Sequence, residues 1–256
     1  MKYRVFIWVL LIIGCEETFV SDEITTTEGF LVVEGLITNE NKSHRIRLSR
    51  PYQELNTSPE PVTGAVVVIV QNEDPVVLSE DPENPGNYLT PPFRALFGKV
   101  YTLAIFLEGQ EYYAQAAANF GEPIKPLSYS MTEDSLYRFD YQESDNPSMM
   151  EVQAVWEEDQ TTQSLGRYFT LNVVDVNRIF APGKEEFLFP TGSMIIRKQF
   201  SLSEQHQEFL RSYLSEVDWR GGGFDVAPGN VITNLTNGAK GFFGVSMVSI
   251  DTTIVD

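Results

Sequence analysis

The side chains best suited to acid–base or metal chemistry are the two histidines, His44 and His206, and neither stands in a catalytic or ligating motif. An imidazole acts as base or metal ligand only beside a nucleophile, a carboxylate or further ligands at fixed spacing. His44 falls at the start of an expected strand and His206 near the start of an expected helix, where a solvated side chain is the ordinary outcome. Carboxylates are abundant, 36 Asp and Glu, but no pair is singled out by spacing, so a carboxylate-dependent hydrolase would rest on abundance alone. Ser79 to Asn87 gathers acids that could hold a hard cation, yet the spacing is not that of a calcium loop, and Pro82, Pro85 and Gly86 already make it a turn. Gly221-Gly222-Gly223 is no phosphate loop, because a strand before it, a lysine within it and a helix after it are missing. Tyr137, Phe139 and Tyr141 alternate along one strand face and could form a stacking platform for a sugar or peptide, or a stripe of core. No catalytic group, metal or cofactor is expected.

The remaining reactive group is Cys15, the chain's single cysteine, at the end of Ile12-Ile13-Gly14-Cys15. Lys2 and Arg4 followed by the apolar run Val5 to Ile13 form a signal peptide, residues 1–14. The run is too short to span a bilayer, which takes about 20 apolar residues. Branched apolar residues, a small residue and then cysteine resemble the bacterial lipobox, so Cys15 is the expected lipidation point and the membrane a partner through that lipid. Single acyl chains hold only marginally, so stable anchoring implies several. Residues 15–29 read as a solvated tether. Glu16 and Glu17 resemble the acidic signal that sends such lipoproteins to the cell surface; the alternative is an outer-membrane protein facing the periplasm.

Removing Lys2 and Arg4 from the 18 basic residues leaves 16 against 36 acidic ones, a net −20. That field repels nucleic acid, which is bound by clustered Lys and Arg, and also repels anionic lipid heads. A hydrophobic content of 42% supplies substantial cores.

Short runs of β-branched and aromatic residues between turns predict a mainly β protein. Leu31 to Ile37, the turn Asn39 to Lys42, and alternating Ile46 and Leu48 predict a hairpin. Ala65 to Val70, apolar on both faces, predicts a central strand covered on both sides. Lys99 to Leu107, the turn Glu108-Gly109 and Glu111 to Ala116 predict a second hairpin. Residues 30–117 thus read as an Ig-like β-sandwich. The stretch Gly121 to Pro126 marks a boundary, and 124–256 reads as a second β-rich half with one amphipathic helix at about 203–217. For that helix Ser201 and Glu204 suggest a capping box, and Phe209, Leu210, Tyr213, Leu214 and Val217 a buried stripe.

Leu31 to Thr38, Ile46-Arg47-Leu48-Ser49, Val62 to Val67, Pro228-Gly229-Asn230-Val231 and Gly241-Phe242-Phe243-Gly244 together resemble a Bacteroidetes lipoprotein family, domain of unknown function 4249 (DUF4249). The resemblance implies a lipid-anchored envelope protein acting beside a TonB-dependent outer-membrane receptor in nutrient capture or import. It transfers no functional residues. The alternatives are a stand-alone adhesin or glycan-binding module using Tyr137, Phe139 and Tyr141, or the hydrolase.

Overall fold

The computed structural model describes residues 29–51, 57–72, 74–156, 163–171, 187–217 and 231–256. Cys15, Glu16, Glu17, the signal peptide, the tether up to residue 28 and Gly221 to Gly223 lie outside the described residues. Strands are β1 Val32–Thr38, β2 Arg45–Ser49, β3 Val66–Gln71, β4 Asp74–Val77, β5 Ser79–Glu80, β6 Asn87–Leu89, β7 Val100–Leu107 and β8 Gln110–Ala117. They continue as β9 Tyr129–Met131, β10 Tyr137–Phe139, β11 Ser148–Val155, β12 Gln163–Thr170, β13 Leu188–Phe189 and β14 Met194–Ser201. The helix α1, Glu204–Val217, precedes β15 Lys240–Ser246 and β16 Val248–Ile254.

Both predicted hairpins form. β1 and β2 pair antiparallel with Val33 opposite Leu48, and β7 and β8 pair along their full length. The β7–β8 turn places Glu108 and Gly109 at φ 50° and 78°, the doubly left-handed turn whose twist matches a two-residue hairpin.

The sheets β15-β1-β2-β6-β5 and β4-β3-β7-β8 face each other across one core. Val33, Ile46, Leu48 and Phe243 enter it from one side, Val67, Ile69, Leu103 and Ile105 from the other. The N-terminal half is therefore a β-sandwich, with Tyr88 as a tie: its buried hydroxyl donates to Val62 O and accepts from Ala65 N, both at 3.0 Å. Contrary to expectation, the Ala65–Val70 strand is covered on one face only. Val67 and Ile69 point inward, while Val66 is 53% exposed, because β3 belongs to one sheet of the two-sheet sandwich and no further layer among the described residues covers its other face.

A second core lies under β12-β11-β14-β16 and the small sheet β13-β10-β9, built from Phe139, Val152, Ala154, Phe189, Ile195 and Val255. The boundary read at 121–126 does not separate the chain's last segment. β15 returns to the first sheet and pairs parallel with β1, and Leu235, Ala239, Phe243 and Val245 join the first core. Gly241 permits the pairing: it sits at φ 92°, and a Cβ there would lie 2.0 Å from Val33 O. Only Met247 separates β15 from β16 in the second sheet.

That crossing is held by polar groups. Met247 N donates to Ser201 Oγ at 3.0 Å, and Ser201 Oγ donates to Asn119 O at 3.0 Å. Asn39 brackets Val248, accepting its N–H at 2.7 Å and donating to its carbonyl at 3.2 Å. Backbone groups where two sheets part would otherwise be buried unpaired, at a cost of about 1–3 kcal/mol each.

Candidate functional site

The site is built around α1, Glu204–Val217, whose N-cap lies two residues after the expected Ser201. Ser203 is the N-cap: its Oγ accepts from His206 N at 3.2 Å and its carbonyl from Gln207 N at 2.9 Å. Ser201 cannot cap, because it ends β14 with its hydroxyl already committed to Asn119 and Met247. The buried stripe also differs from the one expected. Leu210 and Leu214 are buried as predicted, but His206 joins them at 8% exposure while Tyr213 is 43% exposed. The spacing 206, 210, 214 is itself a helical i, i+4 series, and that signal was legible; taking His206 as solvated obscured it.

Gly244 on β15 makes room for the imidazole, since a Cβ there would lie 3.2 Å from His206 Nδ1. Phe242 becomes the centre of an aromatic stack. Its ring lies 4.7 Å from His206 at 22° and 4.9 Å from Phe209 at 17°, and Phe209 in turn stacks on Tyr213 at 5.8 Å.

Between this stack and the outer face of β15-β1-β2 runs a groove of about 640 Å³, lined by Glu34, Leu36, His44, Arg45, Phe209 and Phe242 among others. Both histidines of the chain line it. His44 is 1% exposed, with Nε2 3.0 Å from the Phe93 carbonyl; a carbonyl only accepts, so Nε2 carries the proton. The buried Nδ1 atoms of His44 and His206 have no hydrogen-bond partner among the described residues. Burial pushes the His206 imidazole down to about 4. Burial also lowers His44, with the Phe93 hydrogen bond opposing it. Both rings are therefore neutral near pH 7.

The groove's charges are mostly spent elsewhere. Lys42 is paired with Glu40, which also binds Lys198 Nζ at 2.8 Å. Burial raises the Glu40 carboxyl, but the hydrogen bonds from Lys198 and Lys42 outweigh it and hold the group at about 2. Glu34 lies 4.0 Å from Arg47. Arg45 is exposed and makes no ion pair among the described residues, so the groove offers one uncommitted guanidinium together with the half-buried Leu36 and Phe209. That arrangement suits a ligand with an apolar or ring-shaped body and an acceptor or anionic group. A second cleft of about 420 Å³ lies along α1, with Glu204, Glu208 and Arg211 on its rim and no aromatic wall.

The stripe Tyr137, Phe139 and Tyr141 is not in this groove. Phe139 is 7% exposed in the second core, 5.1 Å from Tyr168. Tyr141 stacks on Tyr168 at 4.9 Å and its hydroxyl meets Thr170 Oγ1 at 2.6 Å, while Tyr137 stacks on Phe189 at 6.2 Å. The rings spend their faces on protein neighbours, because sheet β13-β10-β9 covers the second core with the face that carries them.

The acidic loop 79–87 is a turn whose carboxylates take protein donors: Glu80 accepts from Gly64 N and Gly86 N, and Asp81 from Glu83 N and Asn84 Nδ2. Among the described residues no three His, Cys, Asp or Glu gather as a metal site. No helix among them is long and apolar enough to cross a membrane.

A comparison with curated proteins finds no match. The family model DUF4249, a domain of unknown function, matches residues 16–251, nearly the whole chain, including α1 and the strands β15, β1 and β2 that line the groove. The matched residues include strands of both β cores, and the chain belongs to the DUF4249 family.

Proposed function

We propose that this chain is a lipid-anchored cell-envelope protein that captures a ligand in the groove between α1 and β15-β1-β2, in association with a TonB-dependent outer-membrane receptor. The carrying observation is the groove itself, lined by His206, Phe209 and Phe242 and by Arg45, which has no ion pair among the described residues. Binding energy in such a site comes from apolar area on the rings, about 25 cal/mol per Å² removed from water, and orientation from the guanidinium. The anchor at Cys15, with Glu16 and Glu17 directing surface display, supports capture outside the outer membrane in a Bacteroidetes-type envelope.

Protease shaving of intact cells, followed by mild-detergent purification of the tagged protein and mass spectrometry, tests this reading. Cleavage on intact cells together with a co-purifying receptor is the expected result. A protein that is protected on intact cells and purifies alone would overturn it.

A further inference from the structure

At one end of the sandwich the strand pair β7–β8 finishes with Val100 opposite Ala117. Just beyond that pair the flanking loops bring Phe97 and Phe120 into edge-to-face contact, with ring centres 6.0 Å apart. Both rings face solvent, at 60% and 69% exposure, and Leu96 and Val100 beside them are 46% and 53% exposed. Four neighbouring large apolar side chains left in water mark an interaction surface. The base of this tip is fixed: Ala95 is buried with its N–H on Thr38 O at 2.8 Å, and Leu96 N donates to the hydroxyl of buried Tyr101 at 2.8 Å. Gly98, at φ 74° with open space around it, turns the chain at the apex.

In a chain of net charge −18, Arg94 and Lys99 flank this tip, and neither has an ion pair among the described residues. This apolar tip with cations at its base lines neither of the two clefts described above. It does match a lipid interface, where rings and aliphatic groups enter the acyl boundary and Lys and Arg meet phosphates. We propose that Leu96, Phe97, Val100 and Phe120 insert into the phospholipid surface of the membrane that carries the chain, orienting the groove above it; this rests on the anchored reading.

The tether permits it. Gly29 lies at the opposite pole, where its carbonyl accepts from Arg50 Nη1 at 2.6 Å and Arg50 pairs with Glu108 in the β7–β8 turn. The eight residues of β7 measure about 27 Å. Cys15 to Gly29 has a contour of up to about 48 Å, enough to bring the far pole to the lipid.

The test uses the native lipidated protein and its Phe97→Trp and Phe106→Trp variants in phosphatidylcholine vesicles with brominated acyl chains. Phe106 is an exposed ring on the outer face of β7, away from the tip. Sedimentation with vesicles reports the anchor, and quenching of the added tryptophan, relative to the parent protein, reports the tip. The expectation is at least two-fold quenching of Trp emission for F97W and little for F106W. Vesicle-bound protein with equal quenching in both variants overturns the insertion and leaves the anchor standing. Protein that stays in the supernatant overturns the anchored reading and the insertion with it. An F97W blue shift on adding solubilised outer-membrane protein, without lipid quenching, overturns the insertion in favour of a protein partner.

Discussion

His206→Phe removes the imidazole from the aromatic stack and keeps a flat ring against Phe242. The folded imidazole titrates at about 4, against an ordinary value of 6.5. Its folded-state affinity for protons is depressed, so on acidification the unfolded chain takes up the proton first and stability falls as pH drops from about 6.5 toward 4. Each tenfold difference in proton affinity between the folded and unfolded chain corresponds to about 1.4 kcal/mol, and the two-state expression gives a loss of about 2 kcal/mol between pH 7 and pH 5. Glu40 acts in a separate window. Its carboxyl is depressed to about 2 from 4.5, so its contribution is present above 4.5 and is lost only as pH falls below that. Urea unfolding followed by circular dichroism at pH 7, 6 and 5 measures the difference. The wild type should lose about 2 kcal/mol more over this range than H206F, with His44 and the carboxylates common to both chains. Parallel pH profiles would refute the reasoning and show that the buried imidazole is not held neutral.

Three further outcomes follow from particular contacts. Gly241→Ala places a Cβ against the Val33 carbonyl at a positive φ, which should cost at least about 2 kcal/mol in urea unfolding by prying β15 from β1. Phe139→Ala should cost about 3–4 kcal/mol, the loss expected of a core ring; a change under about 0.5 kcal/mol would return the Tyr137–Tyr141 stripe to the surface. Arg45→Glu should leave unfolding within about 0.5 kcal/mol of wild type, since the side chain is exposed and has no ion pair among the described residues, while weakening ligand retention by co-purification at least ten-fold.

What was legible in the sequence was local. The β1–β2 and β7–β8 hairpins announce themselves because alternation and the Glu108-Gly109 turn are encoded within about twenty residues. The helix was legible from its spacing, but not its cap, because Ser201 and Ser203 look alike until β14 commits the first hydroxyl to Asn119. Non-local pairings left no such trace. β1 and β15 are parallel neighbours from opposite ends of the chain, and nothing within either strand specifies the other. The groove inherits that difficulty: His44 and Phe209 lie far apart in sequence and share a wall only after β15 has docked. Val66 misled for a related reason, since an outward apolar side chain on an outer sheet cannot be told from a buried one by its type.

The central claim is that the anchored protein holds a ligand in the α1 groove beside a receptor. Wild type and an R45E/F209A double variant, purified from membranes in mild detergent and analysed by native mass spectrometry, test it most directly. A receptor should accompany both proteins, and a small-molecule adduct should appear on the wild type alone. A wild type that emerges as a bare lipoprotein, without receptor or adduct, would contradict it.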